Sequence, residues 1–477
     1  MNIRQSFTFT LRAKTPVHFG GDSPGKLLLD GDDKPFVSGN SIGGALRGWL
    51  KDGSKLLPAD VNHYLGGSAE ETEEFLESRV FISDGYLKLP NNPSGVAQSN
   101  GGFLVMEGTA VDPKTGSARI KHKYKRDDLP KGTELVFTVE CDTQTEAMKS
   151  PEGTVMSDAM QEPISFQKLM YTCAVAIHKG KLRFGGKKSN GHGCFSLQQL
   201  TCREFTFNSF AALDQFIFNR DIVEEKDCTE DALEYEEHVS VHPTTVLYLK
   251  GRFPYGVYQS YTDQKRDDKQ TAQITGLLRE EDNQYYLPGS SIKGLLRHEM
   301  RRLLFRMLQD QERSAEIEAR VDTLLQEWFG SQDKMGSVVV ADVVINQTHE
   351  RNNNSNSKSI YNRIDRITGG VIDGALKTQN EVRGTAKIHL ELKASKDAEN
   401  KLFPLLYLLR SIGSGLLPLG GRTVIGLGEF EAKETVVHHK GDILKFSNTC
   451  PLSEDSQTNL EKYYNLFVGF LNKEGEV

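Results

Sequence analysis

Five short signatures occur twice along this chain, in the same order and at offsets of roughly 235 to 264 residues. Ordered recurrence of that kind constrains the fold more than any composition does, because each copy must build the same supersecondary unit. The first signature is an alternating strand that runs into proline: Leu11-Arg12-Ala13-Lys14-Thr15-Pro16, and later Leu249-Lys250-Gly251-Arg252-Phe253-Pro254. Phe7, Phe9 and Leu11 share one face of it at period two, as a half-buried strand requires. The second is Val37-Ser38-Gly39-Asn40-Ser41-Ile42-Gly43-Gly44-Ala45-Leu46-Arg47, matched by Leu287-Pro288-Gly289-Ser290-Ser291-Ile292-Lys293-Gly294-Leu295-Leu296-Arg297. Both read as turn, cap and helix, with Asn40 or Ser41 and Ser290 or Ser291 placed to accept hydrogen bonds from first-turn amides.

The third signature is an aromatic residue and glycine closing a helical region, then a short strand ending on aspartate. Tyr64-Leu65-Gly66 with Asp84 corresponds to Trp328-Phe329-Gly330 with Asp342. The fourth, a turn-forming segment, pairs 111–116 with 364–369. The fifth is glycine-rich: Gly185-Gly186-Lys187-Lys188 through Gly191 and Gly193, against Gly420-Gly421-Arg422 through Gly426 and Gly428. Between signatures each half alternates strands and helices in an α+β pattern, and the seam falls in an acidic stretch near 221–238. The expected organisation is a first domain over 1–215, an acidic linker over 216–240 and a second domain over 241–477. The second carries an inserted amphipathic region (292–329), an Asn/Ser-rich segment (351–359) read as a mobile loop, and a tail after Lys433 without a counterpart in the first half.

With 477 residues the chain is long enough for two cores. It has no run of ~20 apolar residues and no hydrophobic signal core, so a cytoplasmic location is expected. Its six cysteines include no C-x-x-C pair, which argues against a zinc finger or a disulfide framework. The net charge of −7 excludes a protein that coats nucleic acid through bulk positive charge, so any RNA site must be local. Local basic stretches exist at 119–126 (RIKHKYKR, with Lys121 and Lys123), at Lys187-Lys188, and along 297–306.

The glycine pairs Gly185-Gly186 and Gly420-Gly421, each followed by a cation, suit close approach to a phosphate, although such turns also serve simply to reverse the chain. The helix starts near Asn40-Ser41 and Ser290-Ser291 offer amides to phosphates, and ordinary capping accounts for the same residues. Gly20 to Lys26 fits the phosphate-cradling pattern G-x-x-x-x-G-K of nucleotide-binding ATPases, but Leu27 stands where Ser or Thr must hold magnesium, and strand and turn follow where a helix is required. Asp22, Asp30, Asp32 and Asp33 in that segment could hold a divalent metal beside a phosphodiester or could support a turn. His18, His122 and His192 are candidates for proton transfer in a metal-free ribonuclease, or are structural.

Together these signatures resemble the RAMP superfamily of CRISPR-associated proteins, in particular the backbone subunits of type III effector complexes. Two fused copies resemble the double-module subunits of type III-D. In the first half Ser38, Asn40 and Gly43 replace the Pro, Ser and Lys of that pattern. The resemblance implies two tandem modified ferredoxin-like (RRM-like) domains, each with a thumb hairpin, here around 109–128 and 363–384. It implies subunits that stack along a guide RNA with other RAMP subunits and a large signature subunit, and that cut the paired target RNA beside each thumb with a loop aspartate and Mg2+ or Mn2+. Asp22 fits that aspartate and metal ligand best, with Asp30 weaker; the second half offers only Asp263, Asp267 and Asp268, further upstream of Gly289. A non-catalytic guide-binding subunit and a guide-precursor processing ribonuclease are the competing readings.

Overall fold

The computed structural model describes residues 2–21, 23–67, 76–90, 102–112, 118–144, 164–220, 223–239, 244–258, 278–279, 285–309, 314–331, 335–347, 356–375, 377–393, 397–448 and 452–473. The chain divides into two compact units, Met1–Pro93 with Asp127–Lys188 and His192–Val241, and Ser94–Arg126 with Ser189–Gly191 and His242–Val477.

Alternating apolar residues start the first half as β1 (Asn2–Ala13), and Phe7, Phe9 and Leu11 are fully buried as their period-two spacing demands. Then come β2 (Phe36–Val37), α1 (Gly39–Gly53), α2 (Pro58–Leu65), β3 (Val80–Ile82) and β4 (Gly85–Lys88). The hairpin β5 (Leu104–Val111) and β6 (Ala118–Asp128) precedes β7 (Glu134–Gln144), α3 (Phe166–His178) and β8 (Phe195–Thr206). After α4 (Phe210–Phe218), β9 (Lys226–Asp227) and α5 (Thr229–Glu234) complete this half. The sheet order is β2-β4-β7-β1-β8-β9, with β3 also paired to β7. Phe7 meets Phe166 of α3 edge-on at 5.6 Å and Phe9 stacks on Phe137 of β7 at 5.0 Å. Each such ring contributes about 1.5–3 kcal/mol on burial.

The second half repeats this plan with β10 (Thr245–Val257), β11 (Leu278–Arg279), β12 (Tyr285–Leu287), α6 (Gly289–Leu308), α7 (Ser314–Phe329), β13 (Val338–Val340) and β14 (Val343–Gln347). It continues through β15 (Asn356–Tyr361), β16 (Lys377–Leu392), α8 (Leu402–Gly413), β17 (Glu431–His439), β18 (Asp442–Ser447) and α9 (Glu454–Lys473). The sheet order β11-β12-β14-β16-β10-β17-β18, with β13 and β15 on β16, matches that of the first. In each unit the strand that opens the half lies between its third and fourth core strands, all antiparallel, and a helix follows the first and third core strands. That is the ferredoxin-like βαββαβ arrangement, used twice.

Several expectations are corrected. The amphipathic region over 292–329 is not one insertion but the helix of the second signature and a second helix, α6 and α7. Residues 356–359, read as part of a mobile loop, form β15 and pair with β16 from Asn356↔Val382 to Tyr361↔Lys377. Polar composition concealed a strand whose hydrogen bonds come from the backbone. The tail after Lys433 does have a counterpart: β18 and α9 follow β17 as β9 and α5 follow β8, with α4 intervening in the first half. Residues 216–240, expected as a linker, thus include the end of α4, β9 and α5, and β9 pairs with β8. The proline alignment was off by two residues, because Val17 pairs with Leu129 as Val257 pairs with Val382. A register shift between Phe253 and Val257 lets β10 continue through Pro254.

In the second unit, His439 at the end of β17 bridges Thr245 Oγ1 (2.6 Å) and Glu399 Oε1 (3.1 Å), and Lys440 Nζ donates to the same carboxylate at 2.7 Å. The Lys440 ammonium, and then His439, hold the Glu399 carboxyl down at about 2. A depressed acid contributes stability above its unfolded value, and that contribution is lost as pH falls through the folded one. Glu399→Gln is therefore expected to cost about 1 kcal/mol at neutral pH, since solvent reaches the pair. It should also flatten the loss of thermal stability between about pH 4.5 and 2. Melting curves over that range check both.

Candidate nucleic-acid interface

The glycine-rich turns repeat bond for bond. Gly186 N donates to His18 O and Gly421 N to Tyr258 O, both at 2.8 Å. Gly193 N donates to Pro16 O (3.0 Å) and Gly428 N to Gly256 O (2.9 Å), while Phe184 N and Leu419 N donate to Gly193 O and Gly428 O. Gly185 and Gly420 have φ of 76° and 85°, and the following cations Lys187 and Arg422 both have φ of 57°. A non-glycine residue in the left-handed region is uncommon and costs roughly 1 kcal/mol. Both loops accept that cost at the same place and leave the cation exposed.

The glycines pack the loop against the strand exit. A Cβ on Gly185 would lie 2.5 Å from His18 O, and one on Gly420 would lie 2.6 Å from Tyr258 O. The amides of Gly186 and Gly421 are occupied by these internal bonds, so anion contact falls to the cations and to the side chains around the loop. In the second unit the Arg422 guanidinium lies over the rings of Tyr258 (5.6 Å) and Tyr361 (5.4 Å), a cation–π arrangement that also suits stacking on a base.

The helix starts are capped from within, which corrects the assignment to Asn40, Ser41, Ser290 and Ser291. Gly39 N donates to Asp84 Oδ1 at 2.8 Å, and Gly289 N donates to Asp342 Oδ1 at 2.7 Å. Ser38 is the N-cap of α1, accepting from Ser41 N at 3.3 Å, and Pro288 stands in that position in α6. The aspartates of the third signature thus bind the glycines of the second, and each complements its helix dipole. Asn40 and Ser290 are exposed beside these starts, Arg297 is exposed with a bond to Gly330 O at 3.3 Å, and Arg47 and Lys293 are half-buried.

In the first unit these parts enclose a cavity of about 380 Å3, lined by His18, Ser38, Ser41, Gly44, Gly186 and Lys188 among others. Burial holds the Lys188 ammonium below its ordinary value, and an anion in the cavity would raise it again. Behind the loop sits a group that sequence reasoning missed: Asp128, fully buried, with Oδ1 at 3.5 Å from His18 Nδ1 and Oδ2 at 3.4 Å from His192 Nδ1. His18 Nδ1 also lies 2.8 Å from Asp127 O. Glu381 takes the place of Asp128 in the second unit, buried and accepting from Tyr361 OH at 2.5 Å. The available signal was a pair of acids ending the basic run 119–126.

Asp22, Asp263, Asp267 and Asp268 lie outside the described residues, as do the side chains of Lys121 and Lys123. Asp30 closes its own turn, accepting from Asp32 N (2.9 Å) and Lys34 N (2.8 Å). Among the described residues no group of three or more His, Cys, Asp or Glu could hold a metal ion. The ATPase-like motif also resolves: Gly20 bridges Leu27, Leu29 bridges Pro35, and Lys26 Nζ pairs with Asp127 Oδ2 at 2.9 Å.

Two ferredoxin-like folds in one chain, each with a glycine-rich loop that presents a cation, define a tandem module, and its family is one of CRISPR-associated RNA-binding proteins. The family model of the RAMP superfamily matches residues 10–196 and again 271–431, well over half of the chain. The chain belongs to the RAMP superfamily. No curated protein matches it. No helix among the described residues is long and apolar enough to cross a membrane.

Proposed function

We propose that this chain is a double-module backbone subunit of a type III CRISPR effector, of the III-D kind. It grips the guide RNA with both modules and takes part in cleaving the complementary target RNA in the cytoplasm. The observation that carries this reading is the recurrence of one loop conformation with an exposed cation, Lys187 and Arg422, in both units. Two equivalent cationic loops on two equivalent domains suit two equivalent stretches of one RNA backbone. The hairpins β5–β6 and β15–β16 overlap the segments 109–128 and 363–384 that the resemblance assigns to thumbs, which supports the reading. Other RAMP subunits and a large signature subunit complete the assembly in this reading, and Asp22 with Mg2+ or Mn2+ is the proposed cleavage centre.

The test is to map target-fragment ends from complexes carrying the wild-type chain or Asp22→Ala. One cut should fall by at least ~100-fold, the size of effect when a group acting on the reacting phosphate is lost. Guide and target affinity should stay unchanged, and EDTA should abolish the same cut. Unaltered cleavage at every position would leave the chain a structural guide-binding subunit.

The Asp128–His18 contact supports a second reading, a metal-free guide-precursor ribonuclease. The Asp127 carbonyl at 2.8 Å from Nδ1, with the buried Asp128 carboxylate at 3.5 Å behind it, leaves His18 Nε2 beside Gly20 at the cavity, as a general base requires. In that case EDTA has no effect, and His18→Ala abolishes processing of the precursor.

A further inference from the structure

The acidic stretch after β8 carries a charge that opposes phosphate, and its surroundings point to a different partner. Helix α4 is nine residues long, capped by Ser209, and attached to the sheet through Phe216. The Phe216 ring meets Phe205 at 5.0 Å and Phe207 at 5.1 Å, and the Arg220 guanidinium lies over it at 4.3 Å while pairing with the buried Glu140 at 2.9 Å. The rest of its apolar surface faces outward. Phe210 is 82% exposed, Leu213 44%, Ile217 56% and Phe218 74%. Phe210, Leu213 and Ile217 follow at i, i+3 and i+7 and so form one stripe. A helix this short is marginal in water, and leaving four large apolar side chains exposed forgoes about 1.5–3 kcal/mol for each. A contiguous stripe of this kind marks a contact surface.

Charge selects the occupant. From 214 to 237 the described residues include nine exposed acids, among them Asp214, Glu224, Glu230, Asp231 and Glu234, with Arg220 and Lys226 the only Lys or Arg of that stretch. The last strand of that sheet, β9, carries Asp227 and pairs with β8 at Thr201 and Cys202, and Glu225 reaches Arg203 of β8 at 3.1 Å. Such a field repels RNA phosphates, anionic lipid and a second copy of the same edge, and attracts a cationic protein surface.

We infer that this edge of the first module is a docking surface for a protein partner whose contact face is apolar at its centre and rich in Lys or Arg at its rim. The inference stands independently of the RNA-binding reading. It is tested on the full chain with a fluorescent amphipathic peptide of leucine and lysine, beside a lysine–serine peptide of equal charge. Two variants are compared, Phe210→Ser with Ile217→Ser, and Glu224→Lys with Glu234→Lys; all four positions are exposed, and unchanged melting confirms folding. Each variant should weaken the leucine–lysine peptide at least tenfold, and the lysine–serine peptide should bind at least tenfold more weakly than it. Guide-RNA affinity, measured on the same proteins, should not fall. Equal binding of the two peptides, affinity within twofold in either folded variant, or loss of RNA affinity in the apolar variant would overturn the inference. The last result would assign the stripe to RNA.

Discussion

Gly428→Ala is expected to destabilise the second unit by about 3–5 kcal/mol, lowering its thermal midpoint by roughly 10 °C. Two costs add. Gly428 has φ of 84°, which any side chain pays for. A Cβ there would also overlap Leu419 O, the carbonyl of the residue whose amide bonds back to Gly428 O. Neither atom can move without breaking the loop's closing bond. Gly426 separates the two costs within the same turn: its φ is 90°, yet nothing lies within 4 Å of a Cβ there. Gly426→Ala should therefore cost only about 1–2 kcal/mol, the conformational part. Calorimetry of the two variants gives the comparison directly, and equal losses would mean that the carbonyl overlap is relieved by local movement. The same pair of costs operates at Gly193, with φ of 76° and Phe184 O in the position of Leu419 O.

This contrast explains what could be read from the residues. The duplication and the α+β plan were legible because glycines under such constraint, buried strand faces such as Phe7-Phe9-Leu11, and the two aspartates leave fixed residue types at fixed spacing. The Asp84 and Asp342 carboxylates were visible as recurring letters, but their bonds to Gly39 and Gly289 span 45 and 53 residues and so had no local signature. Local spacing points instead to Asn40 or Ser41 and Ser290 or Ser291, the nearest acceptors. For the same reason β15 is not legible as a strand, since its pairing to β16 depends on a distant strand and its Asn/Ser composition lacks the alternation of a half-buried one. The match of β9 and α5 to β18 and α9 was hidden by length: a two-residue strand and a six-residue helix carry no periodicity to compare with a six-residue strand and a twenty-residue helix. The Asp128 contact with His18 and His192 joins positions from three separate segments, and single histidines gave no indication of it.

Replacing both loop cations, Lys187→Ala with Arg422→Ala, is expected to weaken guide-RNA binding by about 10- to 100-fold at moderate salt, or ~1.4–2.7 kcal/mol. Both residues hold the same left-handed backbone conformation, φ of 57°, beside a glycine, so the two losses should be alike in kind. Each phosphate contact removed lowers the salt dependence of single-strand binding by about 0.7 in the slope of log K against log salt, so the double variant should lose ~1.4. That slope distinguishes phosphate contact from indirect disruption, because a misfolded loop would lower affinity without a defined change in counterion release. Arg422 adds a further distinction through its position over Tyr258 and Tyr361. Arg422→Lys keeps the charge but loses the planar stack, so it should preserve the slope while still reducing affinity if a base shares that platform. Lys187→Arg in the first unit should be close to neutral by both measures. Unchanged affinity and slope in the double variant, with melting intact, would remove the glycine-rich loops from the RNA-binding face.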